Sequence, residues 1–229
     1  MLRRFCFVSL LAALLLMAVI PTEAVTRVGK RFNVLEIGAG YASPAGKYDY
    51  IGSIDFIDDM GIVRNLNADQ VYDPSFTLGI SLGQLRNRWL VTVGAVYTKV
   101  NQLDTFKVGY NLWHFGPPGG IVVPSFNQFD LRLNVNYQFT DLSTMNFAPY
   151  AGIGLAAGMI SMTAPGYASE YDVNTLLSAN FGVEFKLWSS ADKRKFVTLA
   201  SVNSYDLLSS GYRPRNLNIG GAIKVYGRP

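Results

Sequence analysis

The stretch "FDLRLNVNYQF" at 129–139 alternates apolar and polar side chains along its whole length. A β-strand repeats every two residues, so this pattern predicts a strand with one apolar face and one polar face. Leu131 and Leu133 lie on the apolar face, and Asp130 and Arg132 lie on the polar face. Fold and function depend on whether the apolar face points into a protein core or out into lipid.

The same alternation recurs along the chain and predicts eight strands. It is clear in six segments and weaker in the last two, and no helical period of comparable length accompanies it. The composition agrees, because only 16% of the residues are charged while Gly, Tyr and Phe are plentiful. The predicted strands are 32–41, 75–83, 88–98, 129–139, 149–159, 175–188, 196–205 and 217–226.

Long and short connections alternate between these strands. The long ones are 42–74, 99–128, 160–174 and 206–216, and the short ones are 84–88, 140–148 and 189–195. An up-and-down antiparallel arrangement places all long loops at one end, as in transmembrane barrels. The prediction is an all-β, up-and-down antiparallel transmembrane β-barrel of eight strands; a hidden hairpin in 42–74 would make ten.

The composition of the polar faces decides the orientation. In the strands 75–83, 88–98 and 149–159, the polar-face positions within 75–83, 92–98 and 152–158 are Gly, Ser, Thr and Ala, with one Val and no charge. Small residues suit the narrow lumen of an eight-stranded barrel, whereas a soluble barrel needs a charged exterior. The predicted lipid-facing residues are Leu35, Ile37, Leu78, Ile80, Val91, Val93, Leu131, Leu133, Val135, Ile153, Leu155, Phe181 and Val183.

Aromatic residues stand near the ends of the predicted strands, as in the girdles where a membrane barrel meets the lipid headgroups. Segments of about ten residues, tilted by about 40°, span the roughly 25 Å apolar band of such barrels. The predicted girdle residues are Tyr41, Trp89, Tyr97, Phe139 and Trp188, and Phe32 is a further aromatic of this kind.

Residues 1–24 have the layout of a secretory signal peptide. Arg3 and Arg4 precede an apolar run from Phe5 to Ile20, and small residues lead to Ala24. The run is shorter than the roughly 20 residues that an anchoring helix needs. Residues 25–229 would form the barrel domain. The only cysteine, Cys6, lies in the signal, so neither disulfides nor thiol chemistry are expected. The net charge of +4, with signs interspersed, argues against nucleic acid as a partner.

The strand "EIGAGY" (36–41), the stretch "NFAPYAGIGLAAG" (146–158), the strand count and the loop rhythm carry a family resemblance. Over about positions 30–227 the chain resembles the eight-stranded outer-membrane β-barrel family, similar to the membrane domain of outer membrane protein A. The resemblance implies a location in the cell outer membrane, with outer-membrane lipid and lipopolysaccharide as partners and insertion by the barrel assembly machinery. The chain departs from the family in ending "VYGRP" instead of on an aromatic residue.

Few charges fall on the polar faces of the predicted strands. Ionised groups in a narrow lumen must pair, because an unpaired buried charge costs several kcal/mol. Structural pairs that plug the lumen are the favoured interpretation; a conducting pore and a proton-transfer pair are the alternatives. The predicted lumen charge network comprises Glu36, Asp130, Arg132, Glu184, Lys186 and Lys224.

Other candidates for chemistry are weaker. His114 is the only histidine, and Ser125 or Ser161 would be its conceivable nucleophiles, but no motif links them. The acidic residues of the first long loop do not match an EF-hand, so a solvated loop is favoured over a metal site. Neither a catalytic site, a metal site nor a cofactor is predicted. These acidic residues are Asp49, Asp55, Asp58 and Asp59.

Three functions follow from these patterns. The first is a non-enzymatic integral outer-membrane barrel whose long surface loops serve envelope integrity or surface interaction, with a loop ligand that the sequence does not identify. The second is a barrel enzyme that acts on lipid A or phospholipid through His114. The third is a soluble periplasmic carrier, lipocalin-like, with the apolar faces inside.

Overall fold

The computed structural model describes residues 31–45, 75–100, 125–163, 169–209 and 215–229, together with four short strands in the long connections. The predicted signal peptide lies outside the described residues. No helix of the described residues is long and apolar enough to cross a bilayer. The strands are β1 Arg31–Ala45, β2 Asp55–Ile57, β3 Val63–Asn65, β4 Ser75–Arg86, β5 Trp89–Val100, β6 Thr105–Val108, β7 Asn111–His114, β8 Ser125–Gln138, β9 Phe147–Thr163, β10 Glu170–Ser189, β11 Lys195–Ser209 and β12 Arg215–Gly227.

Eight of these strands close into an antiparallel barrel in the order β1-β12-β11-β10-β9-β8-β5-β4, with β4 paired to β1. The prediction of an eight-stranded up-and-down barrel is confirmed. The hairpin suspected in 42–74 is present as β2–β3, and a second hairpin, β6–β7, lies in the next long connection. Each forms its own two-stranded sheet, so the ten-stranded alternative is wrong.

Several barrel strands extend beyond the predicted segments at the long-loop end. β8 begins at Ser125 instead of Phe129, β9 continues to Thr163, and β10 begins at Glu170 instead of Thr175. Alternating hydrophobicity marks a strand only where one face meets an apolar medium. Backbone pairing continues past that zone, which is why the periodic pattern gave boundaries that were too short.

The apolar faces point outward. Ile37, Leu82 and Ile153 are 56%, 65% and 53% exposed, whereas the alternate positions of the same strands are more buried. Eight of the thirteen predicted lipid-facing residues are exposed, and the other five are half-buried. Val93 and Leu133 belong to the half-buried group, yet Val93 pairs with exposed Leu82 and Leu133 pairs with exposed Leu155, so they share the outward face.

The aromatic residues occupy both ends of this outer surface. Trp89, Phe139 and Trp188 lie at the short-turn end, each more than half exposed, and Tyr41 and Tyr97 lie at the long-loop end. Tyr97 is half-buried because its hydroxyl donates a hydrogen bond to Asn127 Oδ1 at 2.9 Å. The outer surface is therefore an apolar belt bordered by aromatic rings.

Two register shifts re-aim side chains on β10 and β11. One lies between Lys186 and Trp188 and lets the consecutive residues Leu187 and Trp188 both face outward, 61% and 54% exposed. The other lies beside Leu177, opposite Leu207 and Leu208, which are both exposed. A β-bulge inserts one residue into a strand, so it adds an apolar side chain to the belt without reversing the face of the residues that follow.

Short turns close the end of the barrel that also carries the start of β1 and the end of β12. In the β4–β5 turn Asn87 has φ 58°, a conformation that Asn tolerates better than most residues. In the β10–β11 turn, hydrogen bonds from the Ser190 hydroxyl and the Arg194 N–H lower the pKa of the exposed Asp192 carboxyl. These connections leave little freedom at this end of the barrel.

Candidate functional site in the barrel lumen

The lumen is closed at the short-turn end by an apolar cluster, here called the plug. Within it Phe196 stacks on Tyr226 with ring centroids 4.3 Å apart, and Phe32 meets Phe196 edge-on at 5.0 Å. Phe32 is only 1% exposed, so its assignment to the outer aromatic residues is wrong: it lies in phase with Val34 on the lumen face. The plug comprises Phe32, Val34, Leu85, Leu90, Leu142, Ala148, Phe196 and Tyr226.

Directly above the plug a carboxylate collects four donors from three strands. Glu184 Oε1 lies 2.7 Å from Lys224 Nζ and accepts a longer hydrogen bond from Gln138 Nε2 at 3.4 Å. Its other oxygen accepts hydrogen bonds from the Tyr226 hydroxyl at 2.7 Å and the Thr198 hydroxyl at 3.2 Å. Glu184 is fully buried, and these contacts replace the water that it loses.

Lys224 connects this carboxylate to a second one. Its Nζ lies 3.2 Å from Glu36 Oε2, and it sits 4.8 Å from the centroid of the Tyr150 ring. Glu36 is less buried than Glu184, with 18% of its side chain exposed. A buried ammonium between two carboxylates is held by charge-assisted hydrogen bonds, which are about twice as strong as neutral ones. This cluster cross-links β1, β10 and β12.

The six predicted lumen charges do not form one network. Asp130 and Arg132 make a separate pair on β8, with Arg132 Nη2 3.0 Å from Asp130 Oδ2. Lys186 joins neither group: it lies at the short-turn rim with its Nζ 5.5 Å from the Phe196 ring centroid. Lys186 has the same strand phase as Glu184 but lies nearer the short turns, beyond the plug. Alternation predicts the face of a residue and not its position along the barrel axis.

Asparagine side chains cross the middle of the lumen. Asn180 Nδ2 donates to Asn134 Oδ1 at 3.0 Å and to Asn136 Oδ1 at 3.4 Å, which links β10 to β8. Glycine on β9, between them, makes this contact sterically allowed. A Cβ at Gly154 would lie 2.6 Å from both Asn134 Oδ1 and Ser178 Oγ. The small residues of the polar faces thus make room for larger side chains opposite.

A cavity of about 110 Å³ remains in the middle of the lumen, between these polar side chains and a wall of glycines. Arg132 lines it and is 8% exposed, and its Nε has no hydrogen-bond partner among the residues that the structure describes. Glu36 lines the opposite side. The volume suits several water molecules, which satisfy polar groups of this kind in buried sites.

The remaining candidates lie away from this lumen cluster. Ser125 and Ser161 are on the outward faces of β8 and β9 at the long-loop end, both half-buried. His114 is the last residue of β7. Asp55 begins β2, and Asp49, Asp58 and Asp59 lie outside the described residues. Among the residues that the structure describes, no group of three or more acidic, histidine or cysteine side chains could hold a metal ion.

Sequence reasoning missed Tyr226, Thr198 and Gln138 as partners of Glu184. Tyr226 lies in phase with Lys224, two residues away, so the period of two alone places both in the lumen. Thr198 lies in β11, whose weak alternation hid its polar face. Gln138 was on the predicted polar face, but only the pairing of β8, β9 and β10 brings it to Glu184.

No protein-family model and no curated protein matches the sequence. Among solved structures the chain is similar to the outer membrane protein OprG from Pseudomonas aeruginosa, with 13% identity over 86% of this chain and 96% of that chain and a TM-score of 0.50. Neisserial surface protein A has 14% identity, covers 85% of this chain and 96% of its own, and has a TM-score of 0.47. Ail from Yersinia pestis has 11% identity, covers 87% and 99%, and has a TM-score of 0.40.

The likeness to OprG is one of fold. The chain has the fold of an eight-stranded outer-membrane β-barrel. The closed sheet leaves no unpaired strand edge, and its apolar belt is stable only against lipid, which together identify a barrel of the outer membrane. The apolar faces are outside, so the soluble carrier, which requires them inside, is excluded.

Proposed function

We propose that this protein is a non-enzymatic, non-conducting barrel that anchors long loops at the cell surface. Its role is then structural support of the envelope, surface interaction, or both. The observation that carries the proposal is the plug together with the Glu184 cluster above it. Rigid barrels commonly place function in the loops that they present.

The plug argues against a channel. Phe32, Phe196 and Tyr226 are at most 2% exposed, so their rings leave no continuous water path at the short-turn end. The buried ion pairs above them tie three strands together, and ions would have to separate charges that are held at 2.7 Å and 3.2 Å. An eight-stranded barrel filled by side chains is a packed core more than a pore.

The loops offer the larger functional surface. The described barrel strands are joined at one end by two long connections, 46–74 and 101–124, and two short ones, 164–169 and 210–214. At the other end they are joined by the turns 87–88, 139–146 and 190–194. Loops longer than about 15 residues are uncommon in compact domains unless they serve a function. The hairpins β2–β3 and β6–β7 give two of these connections strand pairing of their own.

Conductance in planar bilayers tests the non-conducting part of the proposal. We expect no single-channel openings from the full chain, and openings from a variant with Phe32→Gly and Phe196→Gly, which remove two rings of the plug. Heat-modifiable gel mobility of both proteins checks that the barrel is closed. Steady conductance from the unaltered protein would refute the proposal.

Loop trimming separates the two proposed roles. A variant in which 46–74 and 101–124 are replaced by short turns keeps all eight barrel strands. It loses only the two hairpins β2–β3 and β6–β7 and the residues around them. In cells that lack the native protein, this variant should restore resistance to large antibiotics if the barrel supports the envelope. If the loops serve surface interaction, it should restore resistance but not surface contact. Complete activity of the trimmed variant in both assays would contradict a role for the loops.

A further inference from the structure

Positive charge is concentrated at the short-turn end of the barrel. Eight basic residues surround this end, whereas the described residues there include only two exposed or half-buried acids, Asp141 and Asp192. Six of the eight are exposed and two are half-buried. These residues, here called the basic rim, are Arg31, Arg86, Arg88, Lys186, Lys193, Arg194, Lys195 and Arg228.

The connections at the opposite end of the barrel carry a net negative charge. The sequences of the four connections at this end, 46–74, 101–124, 164–169 and 210–214, contain seven acidic and four basic residues. The modest net charge of +4 therefore conceals a separation of charge along the barrel axis. Charges placed at random along the chain would not be separated between the two ends of the barrel. An anionic ligand that occurs at only one end would explain the separation.

The basic rim occupies one continuous arc. Its members lie on β10, β11, β1 and β4, in the β10–β11 and β4–β5 turns, and directly after β12. The strands β10, β11, β12, β1, β4 and β5 are consecutive neighbours in the sheet. The remaining turn, 139–146 between β8 and β9, contains no basic residue and carries Asp141. The ion pair in the β10–β11 turn is loose, with Arg194 Nε 3.8 Å from an Asp192 carboxylate oxygen, and both side chains are more than half exposed.

Two rim residues face each other directly. Arg31 and Arg86 are cross-strand partners at the end of the β1–β4 pair, so their Cβ atoms are about 5 Å apart. Two cationic side chains held side by side concentrate positive charge at this position of the rim. Arginine is the side chain best suited to hold phosphate with two parallel hydrogen bonds.

The position of the basic rim along the barrel axis indicates which anion it binds. Arg88 is adjacent to Trp89, and Trp188 pairs with Val197, two residues from Lys195. Exposed tryptophans mark the level of lipid headgroups on a membrane barrel. Arg88 and Lys195 thus lie at the level of the headgroups and not out in the aqueous compartment, whereas Lys186 and Arg228 stand over the plug rings of Phe196 and Phe32 at the mouth of the lumen. Long Lys and Arg side chains reach to such phosphates while their stems stay on the apolar belt.

We propose that the basic rim binds anionic phospholipids of the periplasmic leaflet, holding their phosphates along the arc from β10 to β5. The Arg31–Arg86 pair is its strongest position. This binding fixes the barrel at a defined depth and enriches anionic lipid around one side of it. The inference rests on the proposed function for the orientation that puts the short-turn end in the periplasmic leaflet, and it is independent of whether the lumen conducts.

Lipid selectivity of the reconstituted protein tests the proposal. The full chain is refolded into phosphatidylcholine vesicles that contain phosphatidylglycerol, and spin-labelled forms of both lipids report which one contacts the protein. We expect a severalfold preference for phosphatidylglycerol, because each nearby cation attracts an anionic lipid surface by about fivefold at low salt. High salt should abolish the preference by screening.

Two double variants locate the binding. Arg31→Gln with Arg86→Gln should remove most of the preference, whereas Lys99→Gln with Arg215→Gln removes two exposed cations at the long-loop end and should retain it. Heat-modifiable mobility verifies folding, and the salt titration of the unaltered protein does not depend on either variant. Absence of a preference, its persistence in the rim variant, or equal loss in both variants would overturn the proposal. Displacement by inorganic phosphate at constant ionic strength would also overturn it, since it would indicate a phosphate site and not a lipid surface.

Discussion

The two halves of the lumen are built differently. At the short-turn end the plug is apolar and Glu184 has four donors. Towards the long loops, Gln128, Asn174 and Asn216 are at most 1% exposed, yet within the described part of the chain neither polar atom of each side-chain amide has a hydrogen-bond partner. Unsatisfied buried polar groups cost about 1–3 kcal/mol each. The difference teaches that stability is concentrated in the half that is closed by short turns, and that the half below the long loops is kept at a cost.

The largest expected effect comes from removing the shared carboxylate. Glu184→Ala leaves Gln138, Thr198 and Tyr226 without their acceptor and leaves Lys224 with Glu36 alone. We expect the free energy of unfolding to fall by about 3–5 kcal/mol, measured by urea unfolding in lipid vesicles. Glu36→Ala is the control and should cost less, because Lys224 keeps its closer partner. A larger cost for Glu36→Ala would reverse the assignment of the central carboxylate.

Opening the plug should have the next largest effect. Phe196→Ala removes a ring that stacks on Tyr226 and touches Phe32, and we expect a loss of about 3 kcal/mol in the same measurement. Phe185→Ala is the matched control, because Phe185 lies on the neighbouring strand β10, opposite Leu199, and its ring is on the belt, 50% exposed. Its removal should cost clearly less. Equal costs would mean that the plug is not packed more tightly than the belt.

The smallest effect is expected in the other half, and its sign is the informative part. Asn174→Leu replaces a fully buried amide that lacks partners by an apolar side chain of similar volume. We expect unfolding free energy to be unchanged or raised by up to about 1 kcal/mol. Asn180→Leu is the control, because Asn180 bonds to Asn134 and Asn136, and it should destabilise. Destabilisation by Asn174→Leu equal to that of Asn180→Leu would show that the upper amides are satisfied.

The barrel was predictable because each strand lies between lipid on one face and a polar lumen on the other. Its side chains therefore alternate between apolar and polar. The strand around "FDLRLNVNYQF" and its outward face could be inferred from residues alone. For β11 the strand itself was predicted at 196–205, but its weak alternation did not assign its two faces. In β11, Ser201 and Asn203 face outward within the belt, and Asn203 Nδ2 donates to Ser201 Oγ at 3.4 Å. A polar pair on the apolar side weakens the period without changing the strand.

The lumen contacts were less predictable than the strands. Lys224 meets Glu36 from the other end of the chain, and that meeting depends on which strands pair and in which register. Periodicity predicts which face of the strand a residue lies on, but not its position along the barrel axis. The same limitation explains why Lys186 was grouped with Glu184 although it reaches the rim, and why Phe32 was assigned to the girdle although it lies in the plug.

The central claim is that Leu133 contacts lipid while Asn134 points into the lumen. Replacing Cys6, the only cysteine of the sequence, by Ser allows a single nitroxide label at Leu133→Cys or Asn134→Cys in the reconstituted protein. Collision with oxygen dissolved in the bilayer should broaden the spectrum of the label at 133 strongly and that of the label at 134 weakly. Stronger broadening at 134 would place hydrocarbon on the opposite face and contradict the account.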